Sequence, residues 1–542
     1  MLMAIAWLSS TAHLMLQWFC RGADQRFKQQ NNQLEAVQRQ RLAQVLAQSS
    51  LAKQHNVTDY EGFCRQFQPT RYADWKAPIQ QWRTQKQPLS ASKLVRYQPT
   101  SGSSEQIKFI PYTQAFLDEL DHAIAPWLSS MYRRCPQLAQ GKHYWSVSWL
   151  PESQREILKD DNLNDDSALL GIGKRILAKF TQAVPSEIAF AAHAEDAMFA
   201  TLCYLVAERN LSMISVWSPT FALQLLDQLQ QYAEEIAQVL AHGQWGHRQD
   251  SLQAVKAPYA PQRAKVLQQW QQAGATDIAQ LWEKLSFVSS WDTAGSKKWA
   301  QHLQAALPFA QFEGKGLWAT EGVVTIPYEG MYPLAYHSHF YEFEYLAGEQ
   351  IGQIIPSWQL QIGDVVSPIL SSGNGLLRYC LDDCLKVTSL FGQVPCFEFQ
   401  GRRFGVDLVG EKLSPEIAQQ VIAMFAEKQL QAISLLAIET EQPEKPFYCV
   451  LIEGQFSQAQ MAQFSAQLDL LLRQNFHYEL ARDLGQLAPP QCCEADNGWE
   501  AYKQLVMRDG MIEGNIKPEP LKKISFASLQ RFQAATNREH IE

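Results

Sequence analysis

The chain is organised around the stretch Thr100-Ser101-Gly102-Ser103-Ser104-Glu105-Gln106-Ile107-Lys108. An apolar, aromatic segment, Leu94–Tyr97, leads into it, and Phe109–Thr113 follows it. Gly102 lets the backbone turn tightly and approach a ligand closely, and the surrounding hydroxyl and amide groups can donate hydrogen bonds to phosphate oxygens. Lys108 adds a mobile positive charge. The stretch therefore predicts a polyphosphate-binding loop, although Ser-Gly-Ser is also common in solvated turns between strands.

Length and composition indicate a packed protein of more than one domain. The chain has 542 residues, of which 46% are hydrophobic and 19% charged, values typical of globular proteins. Its net charge is −8 and it has no long basic run, so we expect no nucleic-acid partner. The ten cysteines include no Cys-x-x-Cys pair, which favours free thiols in a reducing cytoplasm.

The segment Met1–Cys20 contains no Asp, Glu, Lys or Arg. A signal peptide would need a basic segment before the apolar one, and none precedes it. Polar residues such as Ser9, Ser10 and Thr11 interrupt an apolar run whose length is barely sufficient to span a bilayer. We therefore expect a helix that packs on the body of the protein or makes peripheral contact with a membrane through residues 1–20, without spanning it.

The order of the predicted elements indicates an α/β protein. A strand, the loop at residue 100 and a helix over 114–134 are typical of an α/β layer, and residues 323–400 are rich in strand patterns with Gly and Asn at the turns. Beyond about residue 401 the pattern changes to helix, strand, strand and helix, a small α+β unit. We therefore predict a large domain over residues 1–400 and a smaller domain over residues 401–542.

Two further segments combine side chains that suit a nucleotide. Ala319-Thr320-Glu321-Gly322 places a hydroxyl beside a carboxylate at a strand end, where Mg²⁺ and phosphate oxygens can be held together. Leu377–Asp383 ends in two aspartates, and a carboxylate can accept hydrogen bonds from both hydroxyls of a ribose. Each segment alone also fits an ordinary turn.

In their order and spacing, these segments resemble the nucleotide motifs of the Gretchen Hagen auxin-responsive family of acyl-acid amido synthetases, which are adenylate-forming enzymes. The likeness covers about residues 30–520. It includes Gly401-Arg402, where the family has a hinge between its domains, and Lys517, which precedes Pro518 as a late lysine does in the family.

The resemblance implies a role for each matching residue. The phosphates of ATP would be bound by the first stretch, namely by Thr100, Ser101, Gly102, Ser103, Ser104 and Lys108. Thr320 would contact the nucleotide, and Glu321 would bind Mg²⁺ and act in catalysis. Asp383 would bind the ribose, and Lys517 would stabilise the negative charge that develops during adenylation.

The chain departs from the family pattern at three positions. Glu105 and Asp382 replace glycines, and Leu317 stands where the family has the tyrosine that stacks on adenine. Trp318 is the next residue, and we expect it to take over the stacking.

The resemblance also implies an adenylate-forming fold, whose large domain combines α/β layers with a β-barrel part and whose small α+β domain is mobile. The implied reaction activates a carboxylic acid with ATP and Mg²⁺ and transfers the acyl group to an amine, in the family an amino acid. We expect a monomer. Two alternatives stay open: a ligase that transfers the acyl group to coenzyme A or a carrier protein, and a non-catalytic relative that binds a nucleotide or an acyl ligand.

Overall fold

The structure, a computed structural model, describes residues 2–100, 108–147, 180–403, 405–406, 408, 411, 413, 415–440, 444–483, 487–508 and 516–539. These residues form two compact units, and the division along the chain falls between Gln400 and Gly401. The part before this division is called the first unit below, and the part after it the second unit.

The first unit begins with helices. They are α1 (Leu2–Gln29), α2 (Leu34–Gln48), α3 (Ser50–Gln54), α4 (Tyr60–Gln66) and α5 (Tyr72–Gln85). The apolar residues of α2 recur at helical spacing and are buried, namely Leu34, Val37, Leu42, Val45 and Leu46. Within the part of the chain that the structure describes, no helix is long and apolar enough to cross a membrane.

A hairpin leads directly into a long helix. β1 (Leu94–Thr100) and β2 (Lys108–Thr113) pair antiparallel, and α6 (Gln114–Arg134) follows. The helix begins where the Thr113 hydroxyl accepts from the Phe116 amide at 3.2 Å, which satisfies one of the free amides of the first turn. The face predicted to be apolar is buried at Phe116, Leu120, Ile124 and Leu128.

A parallel sheet forms the α/β layer. Its strands lie in the order β3 (Lys142–Trp145), β4 (Leu211–Ser215), β5 (Phe287–Ser290) and β6 (Gln311–Gly314). Both β4 and β5 are buried along their whole length, as expected of parallel strands that are covered on both faces. The helices of this region are α7 (Ala194–Ala207), α8 (Pro219–Gln231), α9 (Ala233–His242), α10 (Pro261–Gln272) and α11 (Lys297–Ala306).

The part of the first unit for which the resemblance implies a barrel contains an antiparallel sheet. A short hairpin, β7 (Trp318–Ala319) and β8 (Gly322–Val323), precedes it. The sheet runs in the order β10 (Ile354–Pro356), β9 (Phe340–Tyr345), β11 (Val365–Ser371), β13 (Asp383–Phe391) and β14 (Val394–Arg402), and β12 (Tyr379–Cys380) pairs with β11. The pairings of β11 with β9, β12 and β13 are antiparallel.

The second unit is a mixed sheet with helices. In chain order its elements are α12 (Pro415–Ala426), β15 (Gln431–Glu439), β16 (Phe447–Glu453), α13 (Gln458–Leu472), α14 (Phe476–Asp483), β17 (Gln491–Ala495), α15 (Gly498–Arg508), β18 (Leu521–Ser525) and α16 (Phe526–Glu539). The sheet order is β17-β16-β15-β18. The two central strands are antiparallel, and each outer strand is parallel to its neighbour.

Alternate residues of the central strands belong to two different cores. Leu435 and Ala437 pack in one apolar cluster, and Leu436 and Ile438 pack in the other. Successive side chains of a strand point to opposite faces of its sheet. Both faces of this sheet are therefore covered, which explains why β15 and β16 are almost continuously apolar.

The predicted hinge residue, Gly401, has a φ of 129°. L-residues rarely adopt this angle, whereas glycine adopts it readily. A Cβ added at Gly401 would meet no described atom within 4 Å. The backbone angle, rather than lack of space, therefore requires glycine here.

Candidate active site

The two ends of the predicted phosphate loop are fixed next to each other. Thr100 at the end of β1 pairs with Lys108 at the start of β2. The Lys108 ammonium lies 5.6 Å from the centroid of the Tyr72 ring, and the Tyr72 hydroxyl accepts from the Phe109 amide at 2.8 Å. The loop residues themselves lie outside the described residues, as does the side chain of Thr100; they are Ser101, Gly102, Ser103, Ser104 and Glu105.

Thr320 and Glu321 form the turn of the short β7–β8 hairpin. Ala319 lies opposite Gly322 in the hairpin, which leaves Thr320 and Glu321 as the two turn residues. The hydroxyl and the carboxylate predicted to work together are therefore neighbours at the tip of one turn.

Two tyrosines from other strands hold this turn. The Tyr112 hydroxyl of β2 donates to the carbonyl oxygen of Thr320 at 3.0 Å, and the Tyr379 hydroxyl of β12 donates to Oε1 of Glu321 at 3.0 Å. Burial raises the pKa of both tyrosines, and the Glu321 carboxylate raises both pKa values further. Both hydroxyls therefore keep their protons at neutral pH, and they join the first and third predicted motifs to the second.

Gly322 follows the turn at a crowded position. A Cβ there would lie 2.7 Å from Cδ2 of Leu370 and 2.9 Å from Nε2 of His339. These distances are shorter than any van der Waals contact of a real Cβ. The glycine of this motif is thus required by the close approach of the His339 ring.

His339 is fully buried and supports the hairpin from below. Its Nε2 accepts from the Val323 amide at 3.2 Å, so Nδ1 carries the ring proton and donates to Oε2 of Glu119 at 2.8 Å. The ring also stacks on Phe116, with 5.4 Å between centroids. Every polar atom of the ring therefore has a partner, and the Val323 amide beside the motif is fixed.

The Glu119 carboxylate continues this network to the third motif. Its Oε1 and Oε2 accept from the Gly373 amide at 2.8 and 3.0 Å. The hydroxyls of Ser90 and Thr113 donate to the Gly373 carbonyl at 2.8 and 3.0 Å. Sequence reasoning missed Glu119 because it lies inside the helix α6, where only the apolar spacing carried a signal.

The third motif keeps its turn despite the aspartate that replaces glycine. Asp382 has a φ of 59°, in the left-handed region where aspartate is among the better tolerated residues. Its carboxylate forms an ion pair with Arg71. Asp383, the predicted ribose ligand, is buried and begins β13. The substitution by Asp382 therefore preserves the local backbone.

Lys517 belongs to the second unit and is half-buried. Its carbonyl accepts from the Tyr502 hydroxyl at 3.1 Å, and the same hydroxyl accepts from the Glu519 amide at 3.2 Å. These bonds fix the backbone of the segment that leads into β18. The preceding residue of the predicted motif, Asn515, lies outside the described residues.

Among the described ranges, no group of three or more His, Cys, Asp or Glu side chains could hold a metal ion. A magnesium ion usually binds one or two carboxylates and takes its other ligands from substrate phosphates and water. Glu321, a half-buried carboxylate at the tip of a turn, fits this kind of site rather than an all-protein cage.

A cluster of indole rings lies at the carboxyl edge of the parallel sheet, and sequence reasoning did not identify it. Trp145 ends β3, Trp217 follows β4 and Trp291 follows β5. Trp127 of α6 lies 5.8 Å from Trp145 and 5.7 Å from Trp318, and Trp217 lies 6.4 Å from Trp318 and 5.6 Å from Trp291, measured between ring centroids. These five residues are called the tryptophan cluster below.

Lys315 follows β6 and brings a buried cation to the tryptophan cluster. Its ammonium donates to the Ser215 hydroxyl at 2.8 Å and lies 4.7 Å from the centroid of the Trp217 ring. Ligands of open parallel sheets bind outside the carboxyl ends of the strands. The edge of this sheet therefore offers an aromatic surface with a positive charge beside it.

Solved structures with similar architecture are acyl acid amido synthetases. The structure titled "GH3.15 acyl acid amido synthetase" matches with a TM-score of 0.71 and 15% identity over 94% of this chain and 95% of that chain. The structure titled "AtGH3.15 acyl acid amido synthetase in complex with 2,4-DB" matches with a TM-score of 0.72 and 15% identity over 97% and 96%. The chain therefore has the fold of these enzymes, and the predicted fold class is confirmed.

Two family models match the chain as well. The model described as "GH3 family N-terminal domain" matches residues 23–311, and the one described as "GH3 family central domain" matches residues 332–402. The chain belongs to the GH3 family, which confirms the resemblance seen in the motifs. A comparison with curated proteins found no match.

We predict that His339→Phe lowers the free energy of unfolding by about 1–3 kcal/mol, because it keeps the stacking on Phe116 but leaves two buried partners of the ring unsatisfied. His339→Gln should retain most of the stability, because an amide can both donate and accept. Chemical denaturation of the full chain measures both. His302→Phe, at an exposed position, is the matched control and should be neutral. Equal stability of His339→Phe and wild type would contradict the network.

Proposed function

We propose that this chain is an ATP-dependent ligase that adenylates a carboxylic acid, releases pyrophosphate and transfers the acyl group to the amine of an amino acid. One observation carries the proposal. In the first unit, β2, the Thr320–Glu321 turn and Tyr379 meet through two tyrosine hydrogen bonds. The strands of three predicted nucleotide motifs thus converge, as a ligand that contacts all three motifs requires.

The nucleotide would be bound by charge placed locally. The chain carries a net charge of −8, so the phosphates need nearby cations and hydrogen-bond donors. We assign the phosphates to Lys108 and to the loop residues Thr100, Ser101, Gly102, Ser103 and Ser104. Thr320 and Asp383 would bind the nucleotide from the other side, Asp383 through the ribose hydroxyls and Trp318 through the adenine ring.

The magnesium ion of the proposed reaction would be bound by Glu321. When bound, it neutralises phosphate charge and orients the α-phosphate. The Tyr379 hydroxyl engages Oε1 of Glu321 and so fixes the orientation of the carboxylate. Positioning and charge neutralisation are the terms that accelerate transfer at a phosphoryl centre, and no covalent nucleophile on the protein is needed.

We assign the hydrocarbon body of the acid to the tryptophan cluster. Trp318 belongs to this cluster and directly precedes Ala319 and the Thr320–Glu321 turn, so an acid held there would lie beside the proposed nucleotide site. Indole rings bury large apolar areas and stack well on flat ligands. Lys315 adds positive charge next to this surface, which favours an anionic substrate over a neutral one.

The second unit would contribute Lys517 to adenylation. We propose that this unit, residues 401–542, moves relative to residues 1–400 during the cycle, and the glycine-only angle of Gly401 supports a hinge there. Lys517 would then meet the negative charge that develops between the carboxylate and the α-phosphate. The proposal places the enzyme in the cytoplasm as a monomer without a nucleic-acid partner, and retains the peripheral membrane contact predicted for residues 1–20.

Pyrophosphate exchange over a panel of carboxylic acids tests the function, and mass spectrometry of products with mixed amino acids and with coenzyme A identifies the acceptor. We expect exchange with at least one acid and an amide product. A thioester product would favour the alternative ligase. Binding of ATP without exchange for any acid would favour a non-catalytic relative.

We predict that Glu321→Gln lowers the exchange rate by about 10²–10³-fold while leaving the fold intact. The amide oxygen can still accept from Tyr379, but the negative charge for Mg²⁺ is lost. The matched control is Glu35→Gln, which removes an exposed carboxylate that pairs with Arg39 and should leave exchange unchanged. Exchange at the wild-type rate in a folded Glu321→Gln variant would remove the metal role.

We predict that Trp217→Ala raises the KM for the acid by about 10-fold, since truncating a large aromatic contact costs on the order of 1–2 kcal/mol, while the KM for ATP changes little. Steady-state exchange kinetics measure both constants. Trp358→Ala removes a half-buried indole elsewhere in the first unit and controls for general loss of packing. Equal effects of the two variants on the KM for the acid would reject the tryptophan cluster as the acyl site.

We predict that Lys517→Ala slows acyl-adenylate formation by about 10²–10³-fold with little change in ATP affinity, because a charge that acts mainly in the transition state affects turnover more than binding. The variant should still convert preformed acyl-adenylate into amide. Single-turnover kinetics with each substrate decide this. Lys523→Ala, on the adjacent strand, is the control, and full adenylation by Lys517→Ala would exclude this lysine.

A further inference from the structure

The outward face of α1 is apolar where a helix on a protein surface is normally polar. Four large apolar side chains within six residues are exposed, namely Leu14 (64%), Met15 (47%), Trp18 (69%) and Phe19 (49%). Single exposed apolar residues are common, but contiguous apolar patches mark sites of interaction. The four residues are called the outward patch below.

The inner face of α1 is fixed by buried polar contacts. The His13 ring bonds the Tyr132 hydroxyl through Nδ1 and the Gly141 carbonyl through Nε2, each at 2.7 Å. Asp24 pairs with Arg133 and accepts from the Tyr328 hydroxyl at 2.8 Å. Because rotation of the helix would break these contacts, the outward patch cannot be buried by turning α1 over.

The charges on the same face are all positive. Residues 1–20 carry no Asp, Glu, Lys or Arg, and the next exposed charges are Arg21, Arg26 and Lys28. At 3.6 residues per turn, Arg21 and Lys28 lie seven and fourteen residues after Leu14 and so on its side of the helix. The one acid of α1, Asp24, is buried against Arg133. The face is therefore apolar in one half and cationic in the other, on a chain whose net charge is −8.

We propose that this face binds an anionic lipid surface, with α1 lying in the plane of the interface. Apolar side chains that enter the acyl boundary, flanked by cations that reach the headgroups, are the features of interfacial helices, and an indole ring is favoured at that depth. The inference does not rest on the proposed activity. It adds the lipid charge and the contact residues to the predicted membrane contact.

A second copy of the chain suits this face less well. In a two-fold dimer a surface patch meets the same patch of the partner. Arg21, Arg26 and Lys28 would then face a surface that carries the same positive charges, whereas an anionic bilayer offers opposite charge to all of them. Each basic residue near such a surface contributes about 1 kcal/mol.

Flotation of the full chain with vesicles tests the proposal. We expect binding to vesicles of phosphatidylcholine with phosphatidylglycerol, weak binding to phosphatidylcholine alone, and release by high salt because the cationic contribution is screened. Absence of binding to both kinds of vesicle would overturn the proposal, as would equal binding to both that salt does not affect.

Variants identify the surface. Trp18→Glu with Phe19→Glu should lower vesicle binding at least about 10-fold, and Arg21→Glu with Lys28→Glu should do the same for anionic vesicles only. The matched control is Ile351→Glu with Ile362→Glu, which adds the same charges at two equally exposed apolar residues (66% and 62%) and should leave binding unchanged. Equal loss in the control would overturn the proposal.

Two further measurements separate this result from other outcomes. Sedimentation without lipid should show the same oligomeric state for wild type and for Trp18→Glu with Phe19→Glu, and a dimer that only this variant loses would assign the face to a second copy instead. Pyrophosphate exchange without vesicles should be equal in wild type and the variant. Failure of the proposed ligase activity would leave the vesicle result unaffected, so the two proposals fail separately.

Discussion

The buried carboxylate of Glu119 is the group on which the arrangement of the candidate site depends. It accepts from the ring of His339, which in turn accepts from the Val323 amide beside the Thr320–Glu321 turn, and it accepts from the Gly373 amide ahead of the third motif. A buried charge is costly unless hydrogen bonds satisfy it. The helix α6, the β7–β8 hairpin and the loop at Gly373 therefore hold one another in place, and the motifs on them share a fixed geometry.

The parallel sheet solves a different problem with the same economy of position. Its strands end at one edge, so residues that are far apart in the chain but follow strand ends come together there. Trp145, Trp217, Trp291 and Lys315 each end or follow a strand of this sheet. A site for the acyl group can therefore be assembled from one residue per strand, with α6 adding Trp127 on the side of the network built by Glu119.

The first helix shows the reverse of the usual division between faces. Its inner face carries the buried polar contacts of His13 and Asp24, and its outer face carries Leu14, Trp18 and Phe19. Packing on the body fixes the orientation of the helix, and the burial of its polar groups makes that orientation costly to change. The apolar residues that folding leaves outside are the ones that remain for a partner.

The sequence by itself determined the family and the fold class, because the motifs are local and their order along the chain is conclusive when read together. It also predicted the helix over 114–134, since apolar spacing is a local signal. The outer strands of the second unit, β17 and β18, were missed because they are short and pair with strands distant in the chain. The tertiary structure alone decided that Asp382 preserves the turn and that Glu119 and His339, which are 220 residues apart, support the site. It also assembled the tryptophan cluster. Hydrogen bonds and ring contacts between distant residues leave no periodic pattern along a chain, so only the folded geometry can specify them.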